Sequence, residues 1–193
     1  KSFFKYLGRE EIVEKNPTSN IEAPKLPEKE PSYLTESEYQ NLIATVKFKA
    51  TPYYLSRDLA IVILLLGTGI RLSELVGLTL DRVNLENADR NIKVRGKGNK
   101  ERTVPLTNEV TSTLKQYLKQ RPDVESNHLF ISRLGDELRA RSGYGLIKKY
   151  LKATGIKKKV AVHSLRHTFA ASLLRTQANL VVIQELLGHK KLE

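Results

Sequence analysis

The sequence contains no cysteine in its 193 residues. Disulfides, thiolate zinc sites and cysteine nucleophiles are therefore excluded, and a reducing compartment fits without being required. Long apolar runs are missing too. The richest stretch, from Leu59 to Gly67, is far short of the roughly 20 residues that span a bilayer as a helix. The opening residues, Lys1-Ser2-Phe3-Phe4-Lys5, do not carry the pattern of a secretory signal. No internal repeat or low-complexity tract is visible. Acidic residues are in short supply: 21 Asp and Glu stand against 33 Lys and Arg, a formal charge of +12. Such a surplus repels itself in a compact chain, so it points to a polyanionic partner, nucleic acid ahead of an anionic membrane surface. The expected location is the cytoplasm.

What is present divides the chain. Residues 1–15 carry Phe3, Phe4, Tyr6 and Leu7 before a charged stretch, which reads as one amphipathic helix too short to stand alone, the end of a preceding domain. Four of the seven prolines (Pro17, Pro24, Pro27 and Pro31) fall in a polar segment over 16–33, an extended linker. The main domain starts at 34. Thr35 and Glu38 have the spacing of a capping box, flanked by Leu34 and Tyr39 as a hydrophobic staple, and Leu42, Ile43 and Val46 continue the buried face. Helices are expected over 57–66, 72–78, 143–154, 164–175 and 180–187, with a further one capped by Thr107. Residues 91–94 and 102–104 have strand character and are joined through Gly96-Lys97-Gly98-Asn99, a β-hairpin. Leu129-Phe130-Ile131 is a short buried piece. The fold class is mainly α with a small antiparallel β-sheet (α+β), the main domain spanning 34–193.

Reactive side chains concentrate in four places. Arg71 follows the glycine turn Thr68-Gly69 at a helix start, where a planar guanidinium and free backbone N–H groups can meet a phosphate. Glu74, one turn later, can hold that guanidinium, although an Arg–Glu pair at this spacing also fits an ordinary helix surface. The hairpin carries Lys93, Arg95, Lys97, Lys100 and Arg102 against Glu101 alone. A lysine on its glycine-flanked tip can contact phosphate or protonate a leaving alkoxide, and a solvated turn fits equally well. Gly96-Lys97-Gly98 lacks the rest of any nucleotide-binding loop. In His163-Ser164-Leu165-Arg166-His167, helical offsets of three and four put His163, Arg166 and His167 on one face, while Phe169, Leu173 and Leu174 bury the helix elsewhere. Zinc is disfavoured because Arg166 repels a cation and the glutamate of the zinc-protease motif is missing, so anion binding and proton transfer suit the set better. For His167 a core role is the plainer reading. Last, Leu186-Leu187-Gly188-His189 ends a helix and leaves His189 at its mouth.

These four motifs stand together, in order, in a pattern that resembles the tyrosine recombinases, closest to the Xer and phage or transposon integrase branch. Thr-Gly-Ile-Arg-Leu-Ser-Glu-Leu, Gly-Lys-Gly-Asn-Lys-Glu-Arg, His-Ser-Leu-Arg-His and Leu-Leu-Gly-His carry the resemblance, which covers 34–193; residues 3–17 look like the end of that family's core-binding, DNA-clamping domain. It implies that Arg71 and Arg166 clamp the scissile phosphate and that Lys97 protonates the departing 5′ oxygen. It further implies that His163 acts as general acid/base and that His189 hydrogen-bonds the phosphate. Glu74 and His167 match supporting positions, and Lys93, Arg95, Lys100 and Arg102 are expected to meet the DNA backbone. The implied reaction cuts and rejoins double-stranded DNA through a 3′-phosphotyrosine with no metal or other cofactor. The implied setting is the cytoplasm of a bacterium or archaeon, in association with the nucleoid and with no membrane partner.

One departure stands out. The family's attacking tyrosine lies beyond the histidine of Leu-Gly-His, and Glu193 is only four residues past His189. The last of the eight tyrosines is Tyr150, so the nucleophile is expected to be absent from this chain, which reads as truncated at its C-terminus. The intact protein is expected to be a homotetramer on two synapsed sites, and this chain alone a monomer. Two rivals remain at this point: a non-cleaving DNA-binding module of the same fold, and a type IB topoisomerase-like enzyme.

Overall fold

Between Ala60 and Leu66 every residue is apolar and buried, and a helix apolar on all sides needs neighbours on all sides. These residues belong to α3 (Leu55–Thr68), the axis of the computed structural model, which describes residues 2–22, 32–86, 89–96, 99–177 and 179–188. α2 (Glu36–Lys49), α5 (Asn108–Gln120) and α7 (Val162–Arg175) pack around it. Each lends one buried stripe: Leu42, Ile43 and Val46 from α2, Val110, Leu114 and Tyr117 from α5, Leu165 from α7. α4 (Leu72–Val76) leans on α6 (Ala140–Ala153), where Gly143 comes so close that a Cβ would stand 3.1 Å from Leu72 Cδ1. A small second cluster joins Phe169 to Ile183 and Leu187 of α8 (Leu180–Leu187).

The sheet has three antiparallel strands in the order β1 (Val83–Asn84), β2 (Asn91–Arg95), β3 (Glu101–Pro105). Successive side chains alternate faces. Ile92, Val94 and Val104 are buried, and Lys93, Arg95, Glu101 and Thr103 face out. Register pairs Ile92 with Val104 and Val94 with Arg102. Arg102 therefore stands on the core face, a placement with consequences for the site.

The chain splits into two compact units, Lys1–Glu30 and Pro31–Glu193. In the first, α1 (Ser2–Arg9) ends well before residue 15: the chain breaks into turns, with Glu11 in the left-handed region (φ 55°). The second is mainly α with the small antiparallel sheet, as its sequence pattern implies. The Thr35–Glu38 capping box forms, each residue's backbone N–H donating to the other's side chain, at 2.7 Å and 3.3 Å. The third strand, β1, was not anticipated, because two residues gain strand character only by pairing with β2. Leu174, expected to help bury α7, is 53% exposed. Among the described residues no helix is long and apolar enough to cross a membrane.

Candidate functional site

The site forms where α3 ends. Gly69 takes a left-handed conformation there (φ 62°), which glycine adopts without the cost a Cβ would bring. A Cβ would also collide with the Phe169 ring and crowd Leu187. Glycine thus lets α7 and the last turn of α8 close against the end of α3. The chain then runs through buried Ile70 to Arg71, the extended N-cap residue of the short helix α4.

Glu74, in the first turn of α4, folds back on that start. Its Oε2 accepts the Arg71 backbone N–H at 2.7 Å, and its Oε1 accepts Arg71 Nη1 at 2.9 Å. A carboxylate here satisfies an otherwise orphaned donor and suits the positive end of the helix. The guanidinium of Arg71 stays partly open, with 37% of its side chain exposed.

Arg166 is seated differently. It is 4% exposed, its Nη1 donates to the Gly69 carbonyl at 2.7 Å, and its Nη2 donates to the Leu187 carbonyl. Among the described residues no carboxylate lies within ion-pair distance of it. Burial, and then the neighbouring Arg71 charge, pull its pKa down to about 10, so it remains cationic at neutral pH. Arg71, Ser73, Tyr144, His163 and Arg166 line one cleft of about 280 Å³, floored by Leu65, Ile70 and Leu165. Two cations, an imidazole and two hydroxyls over an apolar floor have the chemistry to hold an anion beside a proton-transfer group.

His163 lies exposed in the first turn of α7, its ring edge-on to His167 with 4.7 Å between centroids. His167 is half-buried, and its pKa is lowered by burial first and by Arg166 second. The three residues therefore do not share one open face: Arg166 points inward and His163 borders the cleft. No group of three or more His, Asp or Glu side chains among the described residues is placed to hold a metal ion.

The basic hairpin divides by face. Lys93, Arg95 and Lys100 are exposed, although Arg95 shares Glu101 with Arg82, at 3.3 Å and 2.8 Å. Arg102 departs from the expectation of a DNA-backbone contact, for its guanidinium is engaged inside. Nη1 and Nη2 donate to the two oxygens of Glu74 at 2.9 Å and 2.8 Å, Nε donates to the Leu186 carbonyl at 2.8 Å, and only 14% of the side chain is exposed. Burial alone would raise the Glu74 pKa, but the hydrogen bonds from Arg102 and Arg71 outweigh it and hold it below 4.5. Lys97 and His189 lie outside the described residues.

Ser73 and Tyr144 were missed by sequence reasoning. Tyr144 had a signal, an aromatic residue set between Gly143 and Gly145 in a basic segment; Ser73 had none. Tyr150, by contrast, is buried and donates to Asp58 Oδ2 at 2.6 Å, and Tyr117 is buried and donates to the Leu129 carbonyl at 3.0 Å. A wider cleft elsewhere, of about 790 Å³, is lined by Glu125, Asp136 and Glu137 and has the wrong sign for a polyanion.

Comparison with known proteins bears on this arrangement. The profile of the phage integrase family matches residues 32–193. Tyrosine recombinase XerD of Chlorobaculum tepidum is 37% identical over the whole chain, which covers 64% of that protein. XerC of Thermodesulfovibrio yellowstonii is 38% identical, with 65% of it covered, and XerA of Pyrococcus furiosus 36%, with 63% covered. The chain thus spans less than two thirds of the length of these relatives. Among solved structures, a XerA recombinase superposes with a TM-score of 0.75 at 36% identity, over 86% of this chain and 58% of that one. The XerH site-specific recombinase bound to difH substrate in a pre-cleavage complex gives 0.76 at 26% identity, over 97% and 55%.

Proposed function

The chain belongs to the phage integrase family of tyrosine recombinases, and from that premise we propose that residues 34–193 are the catalytic domain of an enzyme that cuts and rejoins duplex DNA at specific sites. Residues 1–15 are then the end of a DNA-clamping domain and 16–33 its linker. One observation carries the reading: Arg166 is a buried cation that, among the described residues, is held by carbonyls and by no carboxylate, in the same cleft as Arg71. Burying this charge is costly, the nearby Glu74 carboxylate offsets the cost only in part, and an anion drawn into the cleft offsets more of it. A phosphodiester fits, because both guanidinium groups can present paired N–H donors to its non-bridging oxygens.

In this mechanism Arg71 and Arg166 stabilise the charge that develops on the phosphate. His163, at the cleft's edge, moves the proton of the attacking group. Lys97 protonates the departing 5′ oxygen, and His189 hydrogen-bonds the phosphate. The attacking group is a tyrosine outside this chain, which forms a 3′-phosphotyrosine and conserves the bond energy for rejoining. The exposed Lys93 and Lys100 flank the cleavage point and contact the DNA backbone. Assembly on two synapsed sites as a homotetramer follows from the same reading, as does work in the cytoplasm of a cell whose DNA is accessible there.

The test is a nicked suicide duplex carrying the target site, resolved on a denaturing gel. The full-length protein should form a protein–DNA adduct, and this chain alone should bind DNA without forming one. Its affinity should fall with salt, with a slope of roughly −5 in log K against log salt for about six neutralised phosphates. An adduct from the chain alone that disappears in Tyr144→Phe would make Tyr144 the nucleophile and overturn this assignment.

A further inference from the structure

Arg102 joins three parts of the site that are far apart in sequence. It sits in β3, paired across the hairpin with Val94, and the hairpin's connection carries Lys97. Its Nη1 and Nη2 reach Glu74 of α4, the residue that seats Arg71, and its Nε reaches the Leu186 carbonyl at the end of α8, three residues before His189. The Glu74 carboxylate is then fully used. Oε1 accepts Arg71 Nη1 and Arg102 Nη1, and Oε2 accepts the Arg71 backbone N–H and Arg102 Nη2. A carboxylate has about four lone-pair sites, so no freedom is left for Glu74 to swing away. The α8 end is shaped to the same guanidinium: a Cβ on Gly188 would stand 3.2 Å from Arg102 Nη1.

Energetics say why an arginine stands there. A buried ion pair contributes little net stability compared with a well-packed apolar pair of the same volume, so its retention is better explained by the geometry it imposes. The geometry is specific. Three N–H groups of one rigid plane point at three acceptors on two elements, which a flexible ammonium cannot reproduce.

We propose that Arg102 is a positioning residue for DNA cleavage: it holds Glu74, and through it Arg71, in register with the hairpin bearing Lys97 and the α8 end leading to His189. This rests on the recombinase reading above. It gives Arg102 no contact with DNA, so its loss should slow the chemistry and spare binding.

The experiment uses the full-length protein in single-turnover cleavage of the suicide duplex at saturating DNA, with affinity measured separately over a salt series. Arg102→Gln should cleave at least tenfold more slowly than the parent with its Kd changed less than twofold and its salt slope unchanged. Arg102→Lys keeps the charge but loses the planar fork, so it should not recover the rate; it also carries the test if the glutamine variant fails to fold. Gly188→Ala, which crowds Arg102 without removing it, should slow cleavage in the same sense. Glu74→Gln combined with Arg102→Gln should be no slower than the worse single variant, because both act on one unit. Three results would overturn the proposal: a folded Arg102→Gln that cleaves like the parent, full recovery by lysine, or a loss that lies in Kd with the salt slope reduced by about one, the mark of a phosphate contact. A parent that forms no adduct would overturn the recombinase reading itself.

Discussion

Arg71 and Arg166 line one cleft, yet the α4 corner and the α7–α8 corner hold them by different means. In the α4 corner the guanidinium meets a carboxylate that it shares with Arg102, so its charge is only partly balanced before any ligand arrives, and it stays partly open to solvent. In the α7–α8 corner the guanidinium is buried and, among the described residues, donates to the carbonyls of Gly69 and Leu187 and to no carboxylate. Carbonyl dipoles fix its direction without cancelling its charge. The first corner resists disturbance. The second holds a buried cation with no carboxylate within ion-pair distance among the described residues, and it has more to gain from an incoming phosphate.

The difference can be broken most forcefully by removing each cation. Arg71→Ala and Arg166→Ala should each slow cleavage by about a hundredfold or more, the usual cost of losing one donor to developing charge. They should differ without DNA. Arg71→Ala leaves Glu74 still paired with Arg102, whereas Arg166→Ala frees two carbonyls but relieves a buried charge. Phosphate or sulfate should therefore raise the Tm of the parent and of Arg71→Ala, and should not raise that of Arg166→Ala. Equal cleavage by parent and Arg166→Ala would remove it from the site.

A smaller effect is expected from Gly69→Ala, aimed at the second corner alone. The left-handed φ costs a non-glycine residue about 1–2 kcal/mol, and the added methyl overpacks Phe169 and Leu187 by about 1–3 kcal/mol. Thermal unfolding should show a loss within that range. Because the Gly69 carbonyl also holds Arg166, cleavage should fall alongside stability. A loss of stability with cleavage untouched would show that the carbonyl does not orient Arg166.

The smallest effect concerns pH. The folded state lowers the His167 pKa below 6.5, so between the folded and unfolded values the unfolded chain binds more protons. That contribution to stability is complete above 6.5 and is lost as pH falls through this range. His167→Asn should flatten the decline of Tm between about pH 7 and 5, most simply seen by circular dichroism. An unchanged slope would place the His167 ring in a more open setting than the one described.

Much of this molecule is legible in local pattern. The Thr35–Glu38 capping box forms as its spacing implies, and α8 runs from Leu180 to Leu187 with Gly188 in the left-handed region beyond it. Both signals are local, read within a turn or two of helix. Arg102 shows where such reading fails. It was grouped by charge with Lys93 and Arg95, yet strand alternation already puts it on the face of Val104, and its partners Glu74 and Leu186 lie 28 and 84 residues away. β1 escaped notice for a related reason, since two residues acquire strand character only through β2. Tyr144 reaches the cleft because Gly143 lets α6 approach α4.

By itself, then, the sequence determined most of the elements and pointed to an anionic partner and to phosphate chemistry, because periodicity, capping and charge act over short spans. Tertiary structure alone decided which arginine faces a carboxylate and which, among the described residues, faces carbonyls instead, and it turned Arg102 from the surface to the centre of the site. Those outcomes depend on which elements close on one another, and no window along the chain contains both partners.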